Sequence, residues 1–138
     1  MITIQNKKLK ATFNELGAEL VSLINPETGK EIIWEGNPDF WGGKSPVLFP
    51  TVGALKDDSY IFEGETYEMP RHGFARRKFF EVKNSSENEV VFELHSDKET
   101  LKFYPFDFSL EIKYILIENK LTVSYNVKNT SEKELYFS

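Results

Sequence analysis

An all-β fold, a sandwich of antiparallel sheets, is predicted by this sequence on three observations. Apolar residues recur with a period of two along most of the chain, which is the spacing of half-buried strands. Twelve Phe, six Tyr and two Trp supply side chains that suit a pleated, half-buried surface. Helix signals are few, and strand signals come at short, regular intervals with turn residues between them.

Taken in order, LKATFNE alternates Leu9, Ala11 and Phe13 with Lys8, Lys10, Thr12 and Asn14, so one face is apolar and the other polar. GAELVSLIN is the next strand and stops at the turn NPETGK, where Pro26 and Gly29 punctuate the chain. EIIW reads as a short strand. YIF and TYEM form a hairpin about Gly64, and KFFEVKN and EVVFELHS are strands across the turn SSEN. FSLEIKYILI carries Phe108, Leu110, Ile112, Tyr114 and Leu116 on one face. LTVSYNVKN carries Leu121, Val123, Tyr125 and Val127, and the short link ENK makes the two strands antiparallel neighbours. In SDKETLKFY, Ser96 precedes Glu99 by three residues, a capping-box spacing that predicts a turn or two of helix before Pro105. NPDFWGG holds one helical turn, broken by Gly42 and Gly43. ELYFS starts like another strand after NTSEK and reaches Ser138 in mid-pattern. A strand left so has unpaired backbone groups and an uncovered apolar face, so the chain reads as a fragment of a larger sandwich.

Composition narrows the function classes. A chain of 138 residues suits one domain that buries roughly two-thirds of its unfolded surface, without help from metal or disulfide. The net charge of −5 gives no long-range attraction to phosphate backbones, so no nucleic-acid partner is expected. With no cysteine there is no thiol catalysis and no thiolate metal site. MITIQNKKLK lacks the apolar run of a signal peptide or membrane span, which makes a cytoplasmic protein without a membrane partner the expectation. In that setting the sequons at Asn84 and Asn129 read as polar turns.

The charge pattern has one singular stretch, PRHGFARR. Arg71, Arg76 and Arg77 are all the arginines of the chain, gathered around His72 and Gly73. The longer segment SPVLFPTVGALKDDSYIFEGETYEMPRHGFAR resembles the aldose 1-epimerase (galactose mutarotase-like) superfamily, in its bacterial branch with an HGFAR motif. GAELVSL, IIWEGNPDFW and the YPFDFSLEIKYILIENKLTVSYNVKN strand pair extend the likeness from about Leu9 to Ser138. The resemblance implies a galactose mutarotase-like supersandwich, of which residues 1–138 are the amino-terminal part of one domain, truncated after Ser138. It also implies a following Gly-x-His-Pro-x-Phe motif that supplies the general acid, and a later glutamate as the base.

Mutarotation explains the need for both. The base takes the proton of the anomeric hydroxyl while the acid protonates the ring oxygen; the C1–O5 bond opens to a neutral aldehyde and recloses on the other face. Both steps are proton transfers between groups with pKa values near the working pH, so no metal or organic cofactor is required. This chain then holds no catalytic residue of its own. By the same resemblance His72 is the first substrate-binding histidine, Gly73 lets backbone approach the sugar and Phe74 packs beneath the site. Arg76 holds the site or binds an anionic substituent through its bidentate fork. Many relatives have a substrate-contacting arginine where Ala54 stands. Lys56 is the candidate stand-in, with a strand-end surface lysine as the bland equivalent.

The remaining candidates read as structure. Arg71 and Arg77 read equally as solvated flanks or as ligand contacts and stay off the candidate site, and His95 alternates onto the solvent face of its strand. Asp57 and Asp58 are hairpin-turn acids and no metal site is expected. Trp34, Trp41 and Phe49 could stack on a pyranose; each taken singly is assigned to the core. The function expected is an aldose 1-epimerase acting on a small sugar, inactive as this chain alone. A non-catalytic sugar-binding or sensing protein, a sugar-phosphate mutarotase, and a structural half-sandwich that self-associates through exposed edges are the alternatives.

Overall fold

The computed structural model describes residues 1–138 and is built almost wholly of antiparallel strands. β1 (Ile2–Gln5), β2 (Lys10–Asn14), β3 (Glu19–Asn25) and β4 (Lys30–Glu31) form one four-stranded sheet in chain order. β5 (Ser59–Phe62) and β6 (Glu65–Glu68) are a separate hairpin about Gly64. β7 (Glu81–Ser85), β8 (Glu89–His95), β9 (Phe108–Ile117) and β10 (Lys120–Asn129) make the second sheet, in the order β10-β9-β8-β7. β1 escapes sequence reading because only Ile2 and Ile4 alternate in it, too short a run to register.

The two large sheets meet through the faces that alternation picks out. Phe13 of β2 packs on Tyr114 of β9 with ring centroids 4.4 Å apart and on Phe92 of β8 at 5.9 Å. The Tyr114 hydroxyl is buried, and burial drives its pKa well above the usual phenol value. It donates to the Ala18 carbonyl at 2.9 Å, a sheet-to-sheet link across 96 residues of chain. Ile4, Phe13, Phe92, Phe108, Leu110 and Ile112 are all but completely buried and belong to one continuous hydrophobic core, whose burial stabilises the fold.

Four local expectations are corrected. EIIW does not continue as a strand: β4 ends at Glu31, whose carboxylate accepts the N–H groups of Leu23, Ile32 and Ile33 at 2.7, 3.1 and 3.4 Å. The Leu23 and Ile33 donors are thereby engaged by a side chain, while the Ile32 N–H keeps a last ladder bond to the Leu23 carbonyl at 2.8 Å. The helix α1 (Thr100–Phe103) forms, but its cap is Asp97 rather than Ser96. Asp97 Oδ1 accepts the N–H groups of Glu99 and Thr100 at 2.8 and 2.7 Å, while the Ser96 hydroxyl turns to Asp107. ELYFS forms no strand; the Tyr136 carbonyl accepts from the Tyr104 hydroxyl at 2.6 Å and the segment lies on side chains instead of a sheet edge. Asn84 lies inside β7 beside a register irregularity and only Asn129 makes a turn, with its Oδ1 accepting the Ser131 N–H at 2.9 Å. The single turn at NPDFWGG does form, closed by the Asn37 carbonyl, which accepts the N–H groups of Phe40 and Trp41 at 3.1 and 2.8 Å.

Candidate functional site

The stretch PRHGFARR follows β6 and is pinned against the segment Phe49–Gly53. The Phe49 carbonyl accepts the N–H groups of Phe74 and Ala75 at 2.9 and 3.2 Å. Gly73 sits at φ +70°, and a β-carbon there would collide with that same carbonyl, so only glycine fits. Phe74 is buried beneath the loop, packed with Phe49, Tyr104 and Phe108 at centroid distances of 6.1 to 6.2 Å.

His72 is held from both ends by one residue. Its own N–H donates to the Gly53 carbonyl at 2.7 Å, and the Gly53 N–H donates to its ring Nδ1 at 2.9 Å. A backbone N–H can only donate, so Nδ1 is the unprotonated nitrogen and Nε2 carries the hydrogen. Burial, with the charges of Arg71 and then Arg76, holds the imidazole pKa below its ordinary value of 6.5, so the neutral ring prevails at pH 7. No protein group bonds to Nε2, whose N–H is left as a free, oriented donor. Arg76 folds back, with Nη2 donating to the Arg71 carbonyl at 2.9 Å, and its buried Nε has no partner. It closes the loop on itself, and its charge reaches the His72 ring.

The other candidates separate from this loop. Lys56 opens a 3-10 turn, Lys56–Asp58, exposed and without an ion pair. It is not among the charges acting on His72. Asp57 and Asp58 both have positive φ in that turn, and the Asp58 carbonyl accepts the Met69 N–H at 2.8 Å, which joins the turn to the end of the hairpin. Ala54 and Arg77 are exposed. His95 is exposed on the outer face of β8, 3.4 Å from the Glu93 carboxylate. No group of His, Asp and Glu is arranged to hold a metal ion. Phe49 is core, at 4% exposure, but Trp34 and Trp41 are not, at 40% and 51%. They lie in a loop outside both sheets, where the Trp34 indole N–H donates to the Trp41 carbonyl at 2.8 Å and Lys44 ties the loop to the Val21 carbonyl.

Gly53 is the residue that sequence reading passed over. It stands in the quoted segment as the glycine of TVGALKD, and its φ of +80° marks it as a conformational requirement, but a backbone donor leaves no trace in residue type. An apolar cavity of about 510 Å³ opens next to this segment, lined by Thr51, Tyr60, Phe62, Phe106, Tyr136 and Ser138 among others. Neither His72 nor Arg76 lines it.

A sequence profile described as aldose 1-epimerase matches residues 1–138 from end to end. This chain belongs to the aldose 1-epimerase family. Among its relatives, Protein LacX of Lactococcus lactis subsp. lactis is 32% identical over 133 residues, which is 93% of this chain and 44% of that protein. The galactose mutarotase related enzyme of Lactobacillus acidophilus superposes with a TM-score of 0.97 at 40% identity, over 99% of this chain and 45% of that one. A galactose mutarotase-like protein of Lactobacillus casei gives 0.96 at 42% identity, over 99% and 47%. The galactose mutarotase-like fold is therefore that of these family members, and this chain spans less than half of their length.

Proposed function

We propose that these 138 residues form one wall of a sugar site in an aldose 1-epimerase, with His72 as a hydrogen-bond donor to the sugar and the proton-transfer pair supplied from outside this chain. The observation that carries it is the clamped imidazole, whose Nε2–H is oriented and unpartnered, in a loop that Phe74 anchors on Phe49. A pyranose presents oxygens on every edge, so a fixed donor at a pre-formed surface suits it. Arg76 braces the loop. Nδ1 of His72 is engaged by Gly53, and the other histidine, His95, lies on an outer strand face beside Glu93. The relatives are more than twice as long, which leaves room for the acid and the base.

The segment 136–138 supports the same division. The Ser138 N–H donates to the Pro50 carbonyl at 3.0 Å and the Val52 N–H donates to the Ser138 hydroxyl at 3.2 Å, one residue from Gly53. Residues following that position in a longer chain would start beside the His72 clamp. There an acid could protonate the ring oxygen while a base removes the anomeric proton.

A sugar phosphate is the second reading. Three arginines crowd the loop, and a candidate glucose-6-phosphate 1-epimerase of Escherichia coli is 31% identical over 120 residues. Polarimetry on freshly dissolved α-galactose, α-glucose and α-glucose 6-phosphate tests both. The 138-residue chain is expected to give the buffer rate with all three. A rate that scales with protein and disappears in His72→Ala contradicts the division of labour. Competition by the phosphorylated sugar alone, in a titration of binding, would favour the second reading.

A further inference from the structure

We infer that Gly53 is a positioning residue, whose backbone carbonyl and N–H together lock His72 into a single Nε2–H tautomer and so reserve its ring as a donor. The inference rests on the sugar-site reading for what the donor meets, but the lock itself is a property of the free chain.

The geometry has two parts that act together. The His72 N–H to Gly53 carbonyl bond, at 2.7 Å, fixes the histidine backbone; the Gly53 N–H to Nδ1 bond, at 2.9 Å, fixes the ring on that backbone. Both residues have left-handed φ, +67° for His72 and +80° for Gly53, so each strand of this clasp is held away from extended geometry. A β-carbon at Gly53 would meet no atom within 4 Å. Glycine is therefore required there by conformation and not by crowding.

The lock also excludes two other states of the ring. Nδ1–H would set two hydrogens against each other between nitrogens 2.9 Å apart, the Gly53 N–H and its own. The imidazolium has hydrogens on both nitrogens and meets the same conflict. The charged groups that act on the ring, Arg71 and Arg76, are both cationic and oppose that state further. An imidazole so held cannot accept a proton at Nδ1, and can use Nε2 as a base only by first losing the hydrogen it presents. His72 is thus a fixed donor, distinct from the acid and base of the reaction.

The test uses the 138-residue chain labelled with nitrogen-15 at histidine, without sugar. Only His72 and His95 contribute, and His95→Gln assigns them. Long-range proton–nitrogen correlation is expected to show His72 with an unprotonated Nδ1 and a protonated Nε2, unchanged from pH 8 to 7. A proton on Nδ1, or the averaged shifts of a tautomer mixture, overturns the lock. In Gly53→Ala, strain at φ +80° is expected to displace the N–H, average the two nitrogen shifts and raise the titration midpoint toward about 6.5. A folded Gly53→Ala chain with an unaltered Nδ1 shift and midpoint also overturns it; if that variant does not fold, the parent spectrum still decides. A correct tautomer in a chain that never responds to sugar leaves the lock standing and removes the sugar-site reading. The wrong tautomer in a chain that binds sugar does the reverse.

Discussion

His72 adopts φ +67°, a left-handed conformation that side chains with a β-carbon seldom take and that asparagine tolerates better. Asparagine also carries an oxygen at the position of Nδ1, so it can accept the Gly53 N–H. His72→Asn is therefore expected to melt close to the parent while losing the Nε2 donor, whereas His72→Ala loses the side-chain half of the clasp and melts lower. Thermal unfolding followed by circular dichroism separates them, and equal loss in both variants would contradict the clasp. Gly73→Ala is the severe change at this scale. Positive φ and collision with the Phe49 carbonyl together should cost roughly 2–5 kcal/mol, read from denaturant midpoints. The sequence shows His72, Gly73 and Arg76 as a motif. It cannot show that Arg76 bonds its own loop, because a guanidinium reaching a carbonyl and one reaching a ligand are the same residue type. The exposure of Trp34 and Trp41 was hidden for a related reason, since aromatic identity does not reveal that the loop stands outside the sheets.

At the scale of elements, β2, β8, β9 and β10 are legible because apolar residues recur at every second position along each, and β3 because its apolar run stops at the turn with Pro26 and Gly29. Expectations failed where a side chain overrides the ladder or the cap: Glu31 ends β4, and Asp97 displaces Ser96 at α1. Asp97→Ala should therefore lower stability by about 1 kcal/mol, while Ser96→Ala should leave α1 capped. The outer face of the second sheet gives a pH dependence. Lys83 bonds Glu93 and Glu111 at 3.1 and 2.8 Å, and the bond to Lys83 holds the Glu93 carboxyl below its usual range. A carboxyl depressed in the folded state binds fewer protons than in the unfolded chain. Its contribution is present above the ordinary carboxylate pKa of about 4.3 and is lost as pH falls through the folded value. Urea midpoints should decline from pH 5 to 3, less steeply in Glu93→Gln. An identical decline in that variant would assign the acid sensitivity elsewhere.

For the molecule as a whole, the second sheet ends on a ten-residue edge, β10, whose Val123 and Tyr125 share the inner face with Tyr114 and Ile112 and are exposed. Such an edge invites pairing. Two copies could pair antiparallel about Tyr125, with Val123 facing Val127 and no lysines opposed, so the isolated chain is expected to self-associate. Tyr125→Lys would set two lysines against each other at the centre. Sedimentation should show association in the parent and a monomer in this variant; a compact monomer in both contradicts pairing through β10. The fold was legible in the sequence because a sandwich rests on alternation, while the proposed role as a wall of a sugar site rests on a backbone clasp that only the folded structure reveals. The decisive measurement is a titration of the nitrogen-15-labelled chain with D-galactose. Saturable shifts at the Gly53 amide and the His72 Nε2, with the His95 ring unmoved, are predicted. Silence at His72 and Gly53 up to the highest sugar concentration, or parallel linear drift of both histidines, would contradict a sugar-facing role for this loop.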